Sequence, residues 1–225
     1  MIKAIIFDLD GVLFDENEFV MSGFKVVSNY LASKYNLDSS KIFEVLKTDF
    51  QQGLRRKNFD ILLKKINLEN EKVVNLVNIY RKHQPQLSLH SDARKLLKKL
   101  KGRFKLGIVT DGYKETQEKK VSALNLKEYF DVITINDKKE EWKPSVKPLK
   151  VTLKKLGIKP NEAIYIGDNP LKDFIGCKKI GMYTVRIRRG DGEYNNLILN
   201  NEYEAEYTIS NLLDLEKILS HKMKK

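Results

Sequence analysis

Ile5-Ile6-Phe7-Asp8-Leu9-Asp10-Gly11-Val12-Leu13 is a short apolar run that ends on two carboxylates. An uninterrupted hydrophobic run of this length reads as a strand buried on both faces, the kind found in parallel sheets. Open parallel sheets take ligands beyond the carboxyl ends of their strands, where Asp8 and Asp10 fall. Residues two apart on a strand share a face, and Gly11 lets the backbone turn close to a ligand. At about 4 Å, two like charges repel by roughly 4 kcal/mol at an effective dielectric of about 20. A bound cation or a shared proton removes that cost. A lone Asp-Gly reads as an ordinary turn. Two acids closing a wholly apolar strand read as a metal-assisted carboxylate site.

Working outward, further apolar segments predict strands at 106–109, 132–135, 163–166 and 184–187 beside the first at 4–7. Between and before the later strands run helical patterns at 91–101, 115–124, 146–156 and 171–180. Ser91 reads as the N-cap of the first of these, with Asp92 near its positive end. Gly157 and Gly181 stand where glycines stop helices. A short strand at 207–209 and a helix at 211–220 follow. This alternation predicts an α/β fold, a Rossmann-like three-layer core around a parallel sheet. The long stretch between the first two strands has no strand-like alternation. Apolar residues three and four apart predict helices at 18–34, 40–52, 59–66 and 70–80. Asn36, Gly53, Asn67 and Pro85 separate them. The expectation is an all-helical insertion over the strand ends.

Composition narrows the class. The chain has 225 residues, 41 % hydrophobic and 32 % charged, which suits one large domain or a core with an insertion. No apolar run approaches the roughly 18 residues of a membrane span. Met1-Ile2-Lys3 before the strand is too little for a signal peptide. Cys177 is the only cysteine, which predicts a reducing, cytoplasmic setting. A net charge of +12 invites a nucleic-acid reading. However, the lysines at 95–101 and 150–155 alternate with apolar residues at helical spacing, so they read as solvated faces. Neither zinc-finger spacing nor an aromatic-interleaved basic motif is present. The expectation is no nucleic-acid partner and no membrane. Lys222-Met223-Lys224-Lys225 reads as a frayed end.

The other strand ends supply partners for the acids. Gly107-Ile108-Val109-Thr110-Asp111-Gly112 brings a hydroxyl and backbone N–H groups that donate to an anionic oxygen. Ile164-Tyr165-Ile166-Gly167-Asp168-Asn169-Pro170-Leu171-Lys172-Asp173 adds a third acid and a fourth five residues on. Between them, Glu141-Trp142-Lys143-Pro144-Ser145 holds a lysine in extended backbone before a proline. Lys147-Pro148 competes for this position, but the helix ending at Gly157 starts there and carries Lys147 away. Oxygen-only ligands suit magnesium, which keeps waters and borrows phosphate oxygens. His83, His90 and His221 are dispersed and read as ordinary surface or partly buried residues, so zinc is not expected. Trp142 reads as loop packing, and Cys177, among Phe174, Ile175 and Ile180, as a small core residue.

These pieces resemble the haloacid dehalogenase-like hydrolase superfamily, in its phosphatase branch with a helical cap. The resemblance rests on Asp8-Leu9-Asp10-Gly11-Val12-Leu13, Thr110, Lys143-Pro144 and Gly167-Asp168 with Asp173, in the family's order. It implies a catalytic core at 1–14 and 87–225 and a cap at 15–86. Asp8 is then the nucleophile that forms an aspartyl-phosphate, and Asp10 the general acid and later base. The implied magnesium ligands are Asp8, the backbone carbonyl of Asp10 and Asp168, supported by Asp173. Thr110 and the N–H of Asp111 bind the phosphoryl oxygens, and Lys143 neutralises charge there. The family's dehalogenases lack an aspartate at the second position, so Asp10 argues for phosphoryl transfer.

In the cap, Arg55 and Arg56 of Arg55-Arg56-Lys57 are candidates for a second anionic group of the substrate, against the reading of a solvated turn. The resemblance implies a small phosphorylated metabolite as substrate, with sugar phosphates, nucleotides and phosphoglycolate all open. A phosphomutase similar to beta-phosphoglucomutase shares the four motifs, and a non-catalytic phospho-binding relative is a weaker alternative. A signalling receiver is about half this length, and Gly190-Asp191-Gly192 lacks the third glycine of a dinucleotide site.

Overall fold

The computed structural model describes residues 1–55, 57–190 and 192–223, with side chains through residue 220. The chain divides into two compact units, Met1–Asp15 with Ser88–Lys225, and Glu16–Leu87. In the first unit, six strands form one sheet: β1 (Ala4–Phe7), β2 (Lys105–Asp111), β3 (Val132–Asn136), β4 (Ala163–Gly167), β5 (Tyr183–Ile187) and β6 (Tyr207–Ile209). Their order is β3-β2-β1-β4-β5-β6, and every pair is parallel. All four side chains of β1 are fully buried, as an apolar run between two helical layers requires. Phe7 is level with Ile108 of β2 and Ile166 of β4, so the residues just past those positions emerge side by side. The chain reverses direction across the sheet between β1 and β4. In open α/β sheets that switch point opens a crevice at the carboxyl edge.

The second unit is helical: α1 (Glu16–Tyr35), α2 (Ser39–Gln51), α3 (Asn58–Lys65) and α4 (Val73–Lys82). Phe24, Val27, Leu31, Leu46, Leu62 and Leu76 form its core. Asp38 caps α2 by accepting from the N–H groups of Ser40 and Lys41. Asn36 and Asn67 take the left-handed backbone that ends the preceding turns. Glu71, buried, accepts from Lys34 at 2.6 Å, Tyr35 at 2.7 Å and Asn75 at 3.0 Å.

Of the remaining helices, α5 (Ser91–Leu100), α6 (Lys114–Ala123), α7 (Lys147–Leu156), α8 (Phe174–Lys179) and α9 (Leu215–Met223), α6, α7 and α8 pack on the sheet, while α5 and α9 pack on the short turn at Leu212–Asp214. Ile6, Val109, Leu153, Tyr165 and Cys177 share one core cluster, which bears out the reading of Cys177 as a core residue. On α5, Lys95, Lys98 and Lys99 are exposed while Leu96, Leu97 and Leu100 are buried. Gly157, in left-handed backbone, stops α7. No helix among the described residues is long and apolar enough to cross a membrane.

Several local expectations need correction. Ser91 is not the N-cap of α5; His90 occupies that position without a side-chain cap. Asp92 does stand in the first turn of α5, and it also reaches across the fold, accepting from the Leu212 N–H and pairing with Arg189 at 2.9 Å. Residues 171–173 are not helical, because Asn169 takes the Leu171 N–H on its side chain and the Asp173 N–H on its carbonyl, making a turn. The helix expected at 211–220 starts as a 3₁₀ turn over Leu212–Asp214. His83 is buried in the helical unit, with its ring 4.8 Å from that of Phe19. The side chain of His221 and the terminal lysines 224–225 lie outside the described residues.

Candidate active site

Asp8 stands one residue beyond β1 and is 2 % exposed. Its Oδ1 accepts from the Leu9 N–H at 2.8 Å, and its Oδ2 meets Lys143 Nζ at 2.8 Å. The same ammonium reaches Asp173 Oδ1 at 2.8 Å and donates to the Tyr165 hydroxyl at 2.8 Å. Lys143 is thus a buried cation shared by two buried carboxylates. Its backbone is anchored as well. The Lys143 N–H donates to Asp111 Oδ2 at 3.1 Å, and Asn136 Nδ2 donates to Asp111 Oδ1 at 3.1 Å. Lys147 is exposed and pairs with Glu141 at 3.1 Å, away from this centre. Trp142 lies beside Lys143, half-buried, with its indole N–H lacking a hydrogen-bond partner.

Asp8, Asp168 and Asp173 each offer a carboxylate oxygen, all within 4.8 Å of one another. Close backbone approach makes this possible: a Cβ on Gly11 would collide with the Asp168 carboxylate, and one on Gly167 with that of Asp173. The electrostatics of the three differ. Burial pushes the Asp8 carboxyl up, but Lys143 and Lys172, with the Lys143 and Leu9 hydrogen bonds, outweigh it and hold it below its ordinary range. Burial pushes Lys143 down, yet Asp173 and Asp8 carry it well above its usual value, so it stays charged. For Asp168, burial and the charges of Asp173 and Asp8 act together and lift it well above the carboxylate range, against Lys172 and Lys143. No hydrogen bond or ion pair holds the Asp168 carboxylate among the described residues. An all-oxygen set containing one unpartnered carboxylate fits a divalent cation, whose charge removes the repulsion.

Thr110 lies near the end of β2, 1 % exposed, and its Oγ1 accepts from Gln117 Nε2 at 2.5 Å. The Asp111 side chain is half-buried, and burial raises its carboxyl despite Lys143. Asp10 turns away from the three acids. Its Oδ1 meets Lys120 Nζ at 2.6 Å and its Oδ2 accepts from Gln117 Nε2 at 3.0 Å. The side chains brought together are Asp8, Asp168 and Asp173; of Asp10 only the backbone carbonyl was expected at a metal, and its side chain is engaged by Lys120 and Gln117. In the helical unit, the Arg55 guanidinium lies 3.7 Å from the centroid of the Phe50 ring. It lines a hollow of about 280 Å³ with Lys57, Tyr80 and Arg81. Arg56 lies outside the described residues.

Gln117, Lys120, Tyr165 and Lys172 were not singled out from the sequence. For α6 a signal existed: the buried face of Lys114–Ala123 consists of Thr116, Gln117, Lys120 and Val121, with little to fill a core. Tyr165 carried none, since a tyrosine inside an apolar strand reads as packing.

Strand order and an acid–lysine centre at the switch point define an α/β enzyme acting at the carboxyl edge of its sheet. The chain belongs to the haloacid dehalogenase-like hydrolases, whose family model matches residues 5–187. Among curated relatives, it is 31 % identical to a glyceraldehyde 3-phosphate phosphatase of Methanocaldococcus jannaschii, covering 98 % of both chains. It is 29 % identical to the pyrophosphatase PpaX of Halalkalibacterium halodurans, again over 98 % of both. A solved HAD phosphatase from Thermococcus onnurineus superposes with a TM-score of 0.63 at 30 % identity, covering 97 % of this chain and 98 % of that one.

Proposed function

We propose that this hydrolase is a magnesium-dependent phosphatase that releases phosphate from a small phosphorylated metabolite through an aspartyl-phosphate on Asp8. The observation that carries this reading is the ionised, buried Asp8 paired with Lys143 beside an unpartnered Asp168. Asp8, Asp168 and the Asp10 backbone carbonyl, with Asp173 behind them, would hold magnesium, which would supply positive charge to offset the repulsion of carboxylate and phosphate. Lys143 and the Thr110 hydroxyl, with the Asp111 N–H, bind the transferring phosphoryl oxygens. An Asp8 oxygen attacks phosphorus, the bond from phosphorus to the ester oxygen breaks, and that oxygen takes a proton from Asp10. Asp10, then a carboxylate, takes a proton from the water that attacks the phosphoenzyme. The bond between Asp8 and phosphorus breaks, and inorganic phosphate leaves.

The helical unit serves as the cap in this reading and selects the substrate, with Arg55 meeting a second anionic group. The hollow that Arg55 shares with Lys57, Arg81 and Tyr80 supports this. The fully buried Cys177 is the chain's single cysteine and supports a cytoplasmic setting. Relatives named for glyceraldehyde 3-phosphate and for pyrophosphate share a terminal phosphoryl group on a small molecule. The test is phosphate release from a panel beginning with those two, with and without magnesium, for wild type and Asp8→Asn. Release requiring both metal and Asp8 is expected. Equal release by Asp8→Asn would overturn the proposal.

A further inference from the structure

The buried face of α6 uses three polar side chains, Thr116, Gln117 and Lys120, where α5 uses leucines. Gln117 is 2 % and Lys120 5 % exposed, and three residues apart they share one face. By contrast, α5 buries Ala93, Leu96, Leu97 and Leu100. An ammonium buried without need is costly, so a lysine here requires a partner. That partner is Asp10: Lys120 Nζ meets Oδ1 at 2.6 Å and lies 5.9 Å from the centroid of the Phe14 ring. Gln117 Nε2 has two hydrogens and spends both, one on Asp10 Oδ2 at 3.0 Å and one on Thr110 Oγ1 at 2.5 Å.

Two consequences follow from donor and acceptor counting. With Gln117 donating to its oxygen, the Thr110 hydroxyl has its own hydrogen left to give to an anionic oxygen at the end of β2. With both Asp10 oxygens held by α6, its side chain is kept out of the group formed by Asp8, Asp168 and Asp173. There a fourth carboxylate would add repulsion and compete for the cation.

We infer that Lys120 and Gln117 are positioning residues: Lys120 sets the place of the Asp10 side chain, and Gln117 couples Asp10 to the Thr110 hydroxyl. The inference rests on Asp10 protonating the leaving oxygen, as proposed above. Lys120 then matters in proportion to the leaving group's need for a proton. An alkyl ester leaves as a poor alkoxide and needs the donor, whereas p-nitrophenolate leaves without one. Gln117 serves both Asp10 and the phosphate-binding hydroxyl, so its loss affects every ester.

The experiment measures kcat and KM for Lys120→Met, Lys120→Arg and Gln117→Leu beside wild type. The substrates are the best alkyl phosphate of the panel and p-nitrophenyl phosphate, with folding checked by circular dichroism. For Lys120→Met, kcat/KM on the alkyl ester is expected to fall about 10- to 100-fold, and on the aryl ester by less than about threefold. Its KM is expected to stay within about threefold of wild type, while Lys120→Arg recovers at least part of the alkyl-ester rate. For Gln117→Leu, both esters are expected to lose rate and KM to rise. A wild-type rate for Lys120→Met on the alkyl ester would overturn the inference, as would an equal loss on both esters. If Lys120→Met does not fold, Lys120→Gln decides in its place: a loss confined to the alkyl ester supports the inference, and wild-type or equally reduced rates overturn it. Wild type inactive on both esters would instead remove the phosphatase reading itself.

Discussion

Replacing Lys143 by methionine removes one cation from between two buried carboxylates and leaves their chain positions intact. The side chains of Asp8 and Asp173 are 3 % and 0 % exposed, and each sits 2.8 Å from the ammonium. Carboxylate oxygens of the two lie within 4.8 Å of each other, so their mutual repulsion alone is roughly 3 kcal/mol at an effective dielectric of about 20. Breaking a buried pair by removing one partner costs about 3–5 kcal/mol. A loss of that size is expected for Lys143→Met in chelator, a fall in Tm on the order of 10 °C for a chain of this length. Urea unfolding in chelator and in magnesium measures it, and magnesium should restore part of the loss by supplying the missing positive charge.

Acid supplies an internal control for the same variant. In wild type the lowered Asp8 carboxyl contributes stability above its unfolded value of 3.8, and that contribution is lost as pH falls through the folded value. Without Lys143, burial is opposed only by Lys172 and the Leu9 N–H, so acidification relieves the variant more than it relieves wild type. The gap between the two proteins should therefore narrow as pH falls. A variant within about 0.5 kcal/mol of wild type in chelator would refute the reasoning, as would a gap that widens in acid.

Asp168→Asn should raise stability in chelator by roughly 1–2 kcal/mol, since it removes a carboxylate lifted by burial and two neighbouring acids. The same variant should lose the shift in Tm that magnesium gives wild type, and a thermal melt at each condition reads both. Gly11→Ala should cost about 1–2 kcal/mol for its left-handed backbone at φ 71° and should also weaken magnesium binding by displacing Asp168. Calorimetric titration with magnesium checks the second effect. In the helical unit, Lys34 lowers the Glu71 carboxyl to about 2 from an unfolded 4.5, with Asn75 and Tyr35 assisting against burial. The advantage of wild type over Glu71→Gln should be full above pH 4.5 and vanish as pH falls towards 2, followed by urea melts across that range.

Legibility differed by kind of feature. Strand β1 was readable to the residue because four apolar side chains in a row need burial on both faces whatever surrounds them. Lys143 was separable from Lys147 because a proline at the first turn of α7 marks where the helix takes over. The start of α5 was misread because Ser91 has the right chemistry for a cap but the backbone turns one residue earlier, at His90. The 171–173 segment was misread because side-chain bonds from Asn169 beat a favourable helical pattern.

By itself, the order of residues determined the parallel core, the helical insertion and the acids and lysine at the strand ends. Each depends on local periodicity or on a motif within a few residues, and local pattern survives without knowledge of the fold. Tertiary structure alone decided how these groups share their charges. That Lys143 serves Asp8 and Asp173 together, that Tyr165 joins them, and that Asp10 belongs to Lys120 and Gln117 all depend on pairings between residues far apart in the chain. A lysine on a helix reads as solvated until the fold turns its face inward. At that point burial makes a partner obligatory, and only the packed sheet determines which carboxylate it is.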